Sequence, residues 1–380
     1  MRRVEKSMDA PGLYIHIPFC RSKCLYCGFY STTSLDLTDD FLDALRREMD
    51  IYRTEFSGFD TVYIGGGTPS VLSVKDLGAI LDVTANKFTV DSQAEITVEV
   101  NPADIDLAGL KALRNLGINR INIGVQSFDD DILKFLGRRH NRRQALSVLT
   151  ASERAGFDNI GMDLIYGVPG QEVTSWTDTL HRALSFNPAH FSCYQLTVEP
   201  DTPLGTGQAK GEISMPDEET LADRFFQTSG IIEKAGYIHY EVSSFARNVE
   251  LQSRHNQKYW DHTPYLGLGP AAHSFDGCRR WWNHRSLHSY IEDLKKETPP
   301  VAVSETLADE QLRLEALFLG LRTKSGICFE DYKLRYGYDL VSEKAEMISL
   351  LAERGLVKIE DGRMKPTLAG MAVADSLALI

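Results

Sequence analysis

Three cysteines fall within eight positions, in Cys20-Arg-Ser-Lys-Cys24-Leu-Tyr26-Cys27. A disulfide cannot use three thiols evenly. A tetrahedral zinc site wants a fourth nitrogen or sulfur ligand, and none lies close by in sequence. Three thiolates on one short loop suit three irons of a cubane, with the fourth iron left open. The plain alternative is three idle thiols. Against it stands the crowding of half the chain's six cysteines beside aromatic residues. Cys193, Cys278 and Cys328 are far apart and are expected to take no part.

Other residues with chemical potential follow strand-like runs. Gly65-Gly66-Gly67-Thr68-Pro69 succeeds one such run. Glycines let the backbone approach a ligand closely, although a tight turn would need the same residues. Glu99 closes Val98-Glu99-Val100-Asn101-Pro102, as either a solvated rim carboxylate or a ligand contact. Gln126 follows Gly124-Val125, and its amide can both donate and accept, which suits a diol. Arg138, next to Arg139, offers a guanidinium fork for a carboxylate. Asp163 closes another run in Met162-Asp163-Leu164-Ile165-Tyr166-Gly167. Further on stand His255-Asn256-Gln-Lys-Tyr259-Trp260 and, later, His273. His255 reads equally as an axial heme ligand or as part of an aromatic seal on the barrel, and His273 reads as structural.

The elements that must position these residues alternate. Strands are expected at 13–17, 61–64, 95–100, 120–125, 159–165 and 190–196, with helices between them. Six βα-type units in a row predict a parallel sheet with right-handed crossovers. In barrels of that type chemistry gathers at the C-terminal ends of strands, where the motifs above fall. A helix over 217–234 and a strand over 237–245 follow, then an aromatic-rich stretch over 254–284 without clean periodicity. Thr298-Pro299-Pro300 reads as a linker. Beyond it, helices and a hairpin about Asp361-Gly362 suggest a small winged-helix-like domain, a lid or interface rather than a DNA binder. The expected division is a tail over 1–11, a core barrel over 12–245, a His/aromatic segment with linker over 246–300, and a C-terminal domain over 301–380.

The Cys-x3-Cys-x2-Cys spacing resembles the radical S-adenosylmethionine (SAM) superfamily. The lead-in Tyr14-Ile-His16-Ile-Pro18-Phe19-Cys20 is similar to the branch holding oxygen-independent coproporphyrinogen III oxidases and HemW-type heme chaperones. The resemblance implies a partial (βα)6 barrel and a [4Fe-4S] cluster on Cys20, Cys24 and Cys27. SAM would chelate the open iron and, on reduction, yield a 5′-deoxyadenosyl radical. It also implies that Gly66, Gly67 and Thr68 receive the SAM ammonium, that Glu99 contacts SAM, and that Gln126 and Asp163 meet the ribose. Arg138 would take the carboxylate, with Tyr14 and Tyr26 flanking the cluster, and His255 would belong to a heme site.

Two departures separate the two members of that branch. The oxidases carry a fourth cysteine two residues past the third, where this chain has Phe29. They also carry a long N-terminal extension, and only about a dozen residues precede Tyr14 here. Both favour a heme chaperone that delivers heme to an apoprotein such as a respiratory enzyme. The alternative is a coproporphyrinogen III oxidase, so whether the chain is an enzyme stays open at this point. A net charge of −12 argues against nucleic acid or a membrane surface as the main partner. No run is long enough to span a membrane, and Met1 to Ala10 lack the apolar core of a secretion signal. The expected setting is the reducing cytoplasm, with room for peripheral contact with membrane-bound partners.

Overall fold

The computed structural model describes residues 10–56 and 58–377. The expected tail and the absence of a signal fall, up to residue 9, outside the described residues. Six strands run parallel in sequential order: β1 (Gly12–Ile17), β2 (Phe59–Gly66), β3 (Val90–Val100), β4 (Arg120–Gln126), β5 (Asn159–Tyr166) and β6 (His190–Gln195). Sequential order with right-handed crossovers puts every helix on one face of the sheet, so the sheet curls into a barrel wall. The helices start where their sequences cap them. Ser73 and Asp76 form a reciprocal capping box at Val74–Lys87, and Asp106 caps Leu107–Asn115.

Alternation along the strands sorts the residues. Leu13, Ile15, Ile17, Val62, Ile64, Val98, Ile121, Ile123 and Met162 are fully buried and form the core between sheet and helices. The opposite positions are polar: Tyr14, His16, Thr61, Tyr63, Glu95, Thr97, Glu99, Arg120, Asn122 and Asp163. The concave face is therefore a polar lumen, and each of its buried groups needs a partner.

The wall is not closed on itself. β7 (Ile238–Glu241) and β8 (Ser244–Ala246) form a hairpin on β6, splitting the single strand expected over 237–245. On the other side, β9 (Tyr265–Leu268) pairs parallel with β1. Antiparallel β10 (His273–Phe275), β11 (Arg279–Asn283) and β12 (Val301–Thr306) complete twelve strands. The stretch that lacked periodicity thus supplies three strands and a short helix, Arg254–Trp260. Trp281 and Trp282, adjacent in sequence, explain the missing pattern. Trp281 is buried against Tyr52, with ring centroids 5.9 Å apart, while Trp282 faces the other way.

The division at residue 301 also shifts. Residues 301–306 belong to the main sheet, and a separate core begins beyond them around Ala316, Leu321, Ile348, Leu351 and Met364. That unit carries β13 (Ile327–Cys328), β14 (Val357–Glu360) and β15 (Arg363–Pro366) as a small antiparallel sheet with helices. No helix among the described residues is long and apolar enough to cross a membrane.

The added strands are locked to the barrel by Glu48, on the buried face of the helix Thr38–Tyr52. Its carboxylate accepts from Tyr290 Oη at 2.7 Å, Gly269 N at 2.8 Å and Asn283 Nδ2 at 2.6 Å. Burial raises this carboxyl from 4.5 to about 7, despite those three bonds. Between these pH values the folded protein holds a proton that the unfolded chain has released, so stability falls as pH rises through that window. Denaturant titrations at pH 4.5 and pH 7 should show this loss in the native protein, on the order of 3 kcal/mol, and its absence in Glu48→Gln.

Candidate functional site: the C-terminal mouth of the barrel

The loop after β1 carries the three cysteines over the C-terminal ends of the strands. It is tied down on several sides. Cys20 N donates to Thr32 O at 2.9 Å, Leu25 N to Leu136 O at 3.3 Å, and Leu204 N to Leu25 O at 3.0 Å. The glycine segment runs beside it, with Gly67 N on Ile17 O and Thr68 N on Phe19 O, both at 2.8 Å. A Cβ on Gly67 would stand 2.7 Å from Phe19 O, so only glycine permits this approach. Gly66 has φ +106°, and a Cβ there would stand 2.6 Å from the His16 ring. That ring is fixed by Tyr14 Oη at 3.0 Å and Tyr30 O at 2.9 Å.

Cys20, Cys24 and Cys27 line one small cavity, partly open to solvent, together with Thr68, Asn101 and Arg138. All six cysteines are free thiols. Cys20 Sγ lies 3.3 Å from Thr68 Oγ1, and Arg138 Nη1 lies 3.6 Å from Cys24 Sγ. Burial pushes the Cys27 thiol up, and the nearby Cys24 and Cys20 add to the shift, so the sulfurs sense one another. Among the described residues, no three or more His, Cys, Asp or Glu side chains converge on a single metal ion. A cluster asks for something different, since it offers each sulfur its own iron. Cys193 is buried in the core and Cys278 is exposed on the turn before β11.

The acidic and amide residues sit on the lumen wall next to this cavity. Glu99 Oε1 accepts from Tyr63 Oη at 2.8 Å and Oε2 from Gly66 N at 3.2 Å. Burial, and then the neighbouring Asp163 carboxylate, push Glu99 up to about 7. Asp163 Oδ2 accepts from Asn122 Nδ2 at 2.6 Å, and burial raises this carboxyl too. Gln126 follows a bulge in β4 and has φ +65°. Such a backbone is strained for a side-chain-bearing residue, and strain of this kind gathers at ligand sites. Gly124 makes room for it: a Cβ there would stand 3.0 Å from Gln126 Nε2 and 3.1 Å from Arg138 Nη2.

The two adjacent arginines part company. Arg138 turns in, donating from Nη2 to Gly124 O at 2.8 Å, while Arg139 pairs with Asp104 at 2.7 Å. Three buried polar atoms at this end of the wall have no partner: Gln126 Oε1, Arg138 Nε and Asp163 Oδ1. Unsatisfied groups are rare in folded proteins, and three on one wall mark a place for a polar ligand.

Residues 14–183 match the family model described as the radical SAM superfamily, and residues 307–373 match the HemN C-terminal domain. The chain is 33% identical over 369 residues to the heme chaperone HemW of Bacillus subtilis, covering 96% of this chain and 97% of the relative. It is 36% identical over 324 residues to the heme chaperone HemW of Synechocystis, covering 83% and 78%. This chain belongs to the HemW family of radical SAM proteins. A bovine member of the superfamily, the mitochondrial radical S-adenosyl methionine domain-containing protein 1, is 33% identical over 395 residues and covers 97% and 88%. The coproporphyrinogen III oxidase HemN of Escherichia coli has the same fold, with a TM-score of 0.84 at 24% identity over 97% of this chain and 89% of that one.

Membership of the radical SAM superfamily implies a [4Fe-4S] cluster and SAM, and the residues present fit both. Three free sulfurs, a glycine cradle and three orphaned polar atoms surround the mouth. Tyr26 packs beside Arg138 under the cysteine loop, and Tyr14 lies lower on the wall against Tyr63. Asn122, Tyr63, His16 and Gly124 also shape the site and were not singled out from sequence. The strand alternation that places them beside Glu99 and Asp163 is the signal that could have found them.

His255 is not brought to this mouth. It sits at the other end of the strands, with Nδ1 on Thr61 Oγ1 and Nε2 on Tyr259 Oη, both at 2.9 Å. Both ring nitrogens are engaged in a buried setting, which leaves none for iron. The sequence expectation of a heme ligand here is therefore not carried further, and the aromatic-seal reading describes the residue.

If Arg138 grips SAM and Arg139 only serves Asp104, the two substitutions should separate. Anaerobic titration should show Arg138→Ala weakening SAM binding roughly tenfold or more, the loss of a charge-assisted hydrogen bond, while Arg139→Ala stays within about twofold. Equal effects would contradict the assignment.

Proposed function

We propose that this protein is a heme chaperone, holding a [4Fe-4S] cluster and SAM as resident groups and passing heme to an apoprotein. The end-to-end likeness to proteins named heme chaperones carries the reading. Phe29 agrees with it. This side chain stands where the oxidases keep a fourth cysteine and is 67% exposed, so it offers apolar contact at the loop rather than a sulfur.

In this reading Cys20, Cys24 and Cys27 hold the cluster. When bound, the cluster supplies an open iron and an electron to SAM. Gly66, Gly67 and Thr68 shape the backbone against which the SAM amino group would lie, and Glu99 would accept a hydrogen bond from it. Arg138 takes the carboxylate, and Gln126 and Asp163 take the ribose hydroxyls with the atoms that lack partners. Tyr14 and Tyr26 close the sides. The acceptor is an apoprotein such as a respiratory enzyme, met in the cytoplasm or at the periphery of a membrane.

Glu99 makes the SAM site pH-dependent. Without a cation its carboxyl titrates at about 7 because burial and Asp163 disfavour the charge. The N–H donors of the SAM amino group and the permanent sulfonium charge of this ligand favour the charged form. Below pH 7 binding must first expel a proton, so SAM affinity should rise with pH up to about 7 and level off above it. Titrations between pH 6 and pH 8 check this slope, and Glu99→Gln should flatten it while weakening binding.

Function is tested by mixing heme-loaded protein with candidate apoproteins and following the heme spectrum of the acceptor. Transfer is expected, with no SAM-dependent conversion of coproporphyrinogen in a parallel anaerobic assay. Conversion at enzymatic rates would replace the chaperone by the oxidase.

A further inference from the structure

Resting on the reading of heme as cargo, the structure points to a place for it away from the SAM mouth. The concave face of the sheet does not end at β1. Gly12 pairs with Tyr265 and Tyr14 with Gly267, so β9 presents Tyr265 and Gly267 on the lumen side. Phe275 lies opposite Tyr265, and His273 opposite Trp282, which in turn lies opposite Val303. Tyr14, Gly267, His273, Trp282 and Val303 thus share one face across five neighbouring strands. Gly267 lies against the backbone of His273, where a Cβ would stand 2.0 Å from its carbonyl oxygen, so only glycine lets the two strands approach this closely.

This row carries a histidine unlike the other nine. His16, His239 and His255 have both ring nitrogens hydrogen-bonded within the protein. His140, His190 and His262 are buried, and His284 pairs with Asp293 at 3.1 Å. His181 and His288 stand on helices. His273 is exposed, on a strand, and no hydrogen bond engages its ring among the described residues. Its imidazole is stacked on Trp282, with centroids 5.3 Å apart and planes 22° apart, which holds its orientation. Val303 beside it is 45% exposed.

Charge completes the pattern. Arg280, on the same face, is committed to Glu305 and Glu315, at 2.9 Å each. Arg285 is exposed and donates from Nη2 to Gly28 O at 3.0 Å. It joins the residue before Phe29 to the field around His273, where partial burial, and then Arg280 and Arg285, lower the imidazole's proton affinity. A neutral imidazole is the form that binds iron.

We propose that His273 is the axial ligand of the heme cargo on this face, with Trp282 positioning the imidazole, Val303 giving apolar contact and Arg285 receiving a propionate. The exposed imidazole, the stacked indole and the exposed guanidinium match a planar iron porphyrin with carboxylate arms.

The test is a heme titration of the cluster-loaded protein, read as difference spectra. His273→Ala should shift the Soret band and weaken heme binding roughly tenfold or more, while SAM affinity and iron content per cluster stay as in the native protein. His273→Phe keeps an aromatic ring on Trp282 and removes only the ligand, so it should behave like the alanine variant even if the latter folds poorly. Native Soret position and affinity in a folded His273→Phe protein would overturn the assignment and leave the chaperone reading standing. Absence of heme uptake by the native protein would overturn both.

Discussion

Everything in this fold depends on how a curled parallel sheet treats its concave face. The helices cover one side and bury an apolar residue at every second strand position. The other side receives Thr61, Glu95, Thr97, Glu99, Arg120, Asn122 and Asp163, which lie out of bulk water and must find partners. At the N-terminal ends of the strands that demand is met in part by the short helix Arg254–Trp260. Its first two amides, from Arg254 and His255, donate to the Glu95 carboxylate at 3.3 and 3.2 Å. His255 then reaches Thr61, and Lys258 pairs with Asp60 at 2.7 Å. Arg120, next to Glu95, donates to Asn159 Oδ1 at 3.0 Å. Closing one end of the lumen in this way leaves Gln126 Oε1, Arg138 Nε and Asp163 Oδ1 without partners at the open end, while Thr97 Oγ1 and Arg120 Nε lack one lower on the wall. The site is thus defined as much by the plug as by its own residues.

Much of this was legible in the sequence, and the reason is local. The six parallel strands, the cysteine loop, the glycine segment and Glu99, Gln126 and Asp163 all obey a rule of position: a functional side chain follows an apolar strand-sized run. What was not legible needed knowledge of direction. His255 stands in a motif rich in aromatics, which fits either a ligand pocket or a seal. Only the three-dimensional path shows that its helix meets β1, β2 and β3 at their N-terminal ends, where Gly12 is crowded by the His255 and Lys258 side chains. Arg138 and Arg139 are adjacent on a turn, so spacing alone could not separate them. The buried Asp104 carboxylate does so by engaging Arg139 and Arg21.

The three strands hidden in residues 254–284 escaped for a different reason. Alternation announces a strand when one face is wet and the other dry. Here Trp281 and Trp282 occupy opposite faces, and both faces carry aromatics, so the period-two signal vanishes. The same ambiguity touched Pro299-Pro300. Prolines that read as a linker instead lead into the outermost strand of the main sheet, where a missing amide costs no ladder bond on the free edge.

That extension changes what the scaffold can hold. The mouth of the barrel is small, and its wall carries carboxylates whose charge is already disfavoured by burial. A large, flat, mostly apolar ligand has no place among them. The strands beyond β1 offer a different surface on the same face, with aromatic and aliphatic side chains in a row and Glu48 clamping β9 and β11 to the barrel from behind. Because the clamp lies on the helix side and the row on the lumen side, the surface can stay open without loosening the sheet. The candidate cofactor residues and this open aromatic row lie on one sheet yet on different strands, so the proposed cargo would sit beside the polar mouth without entering it.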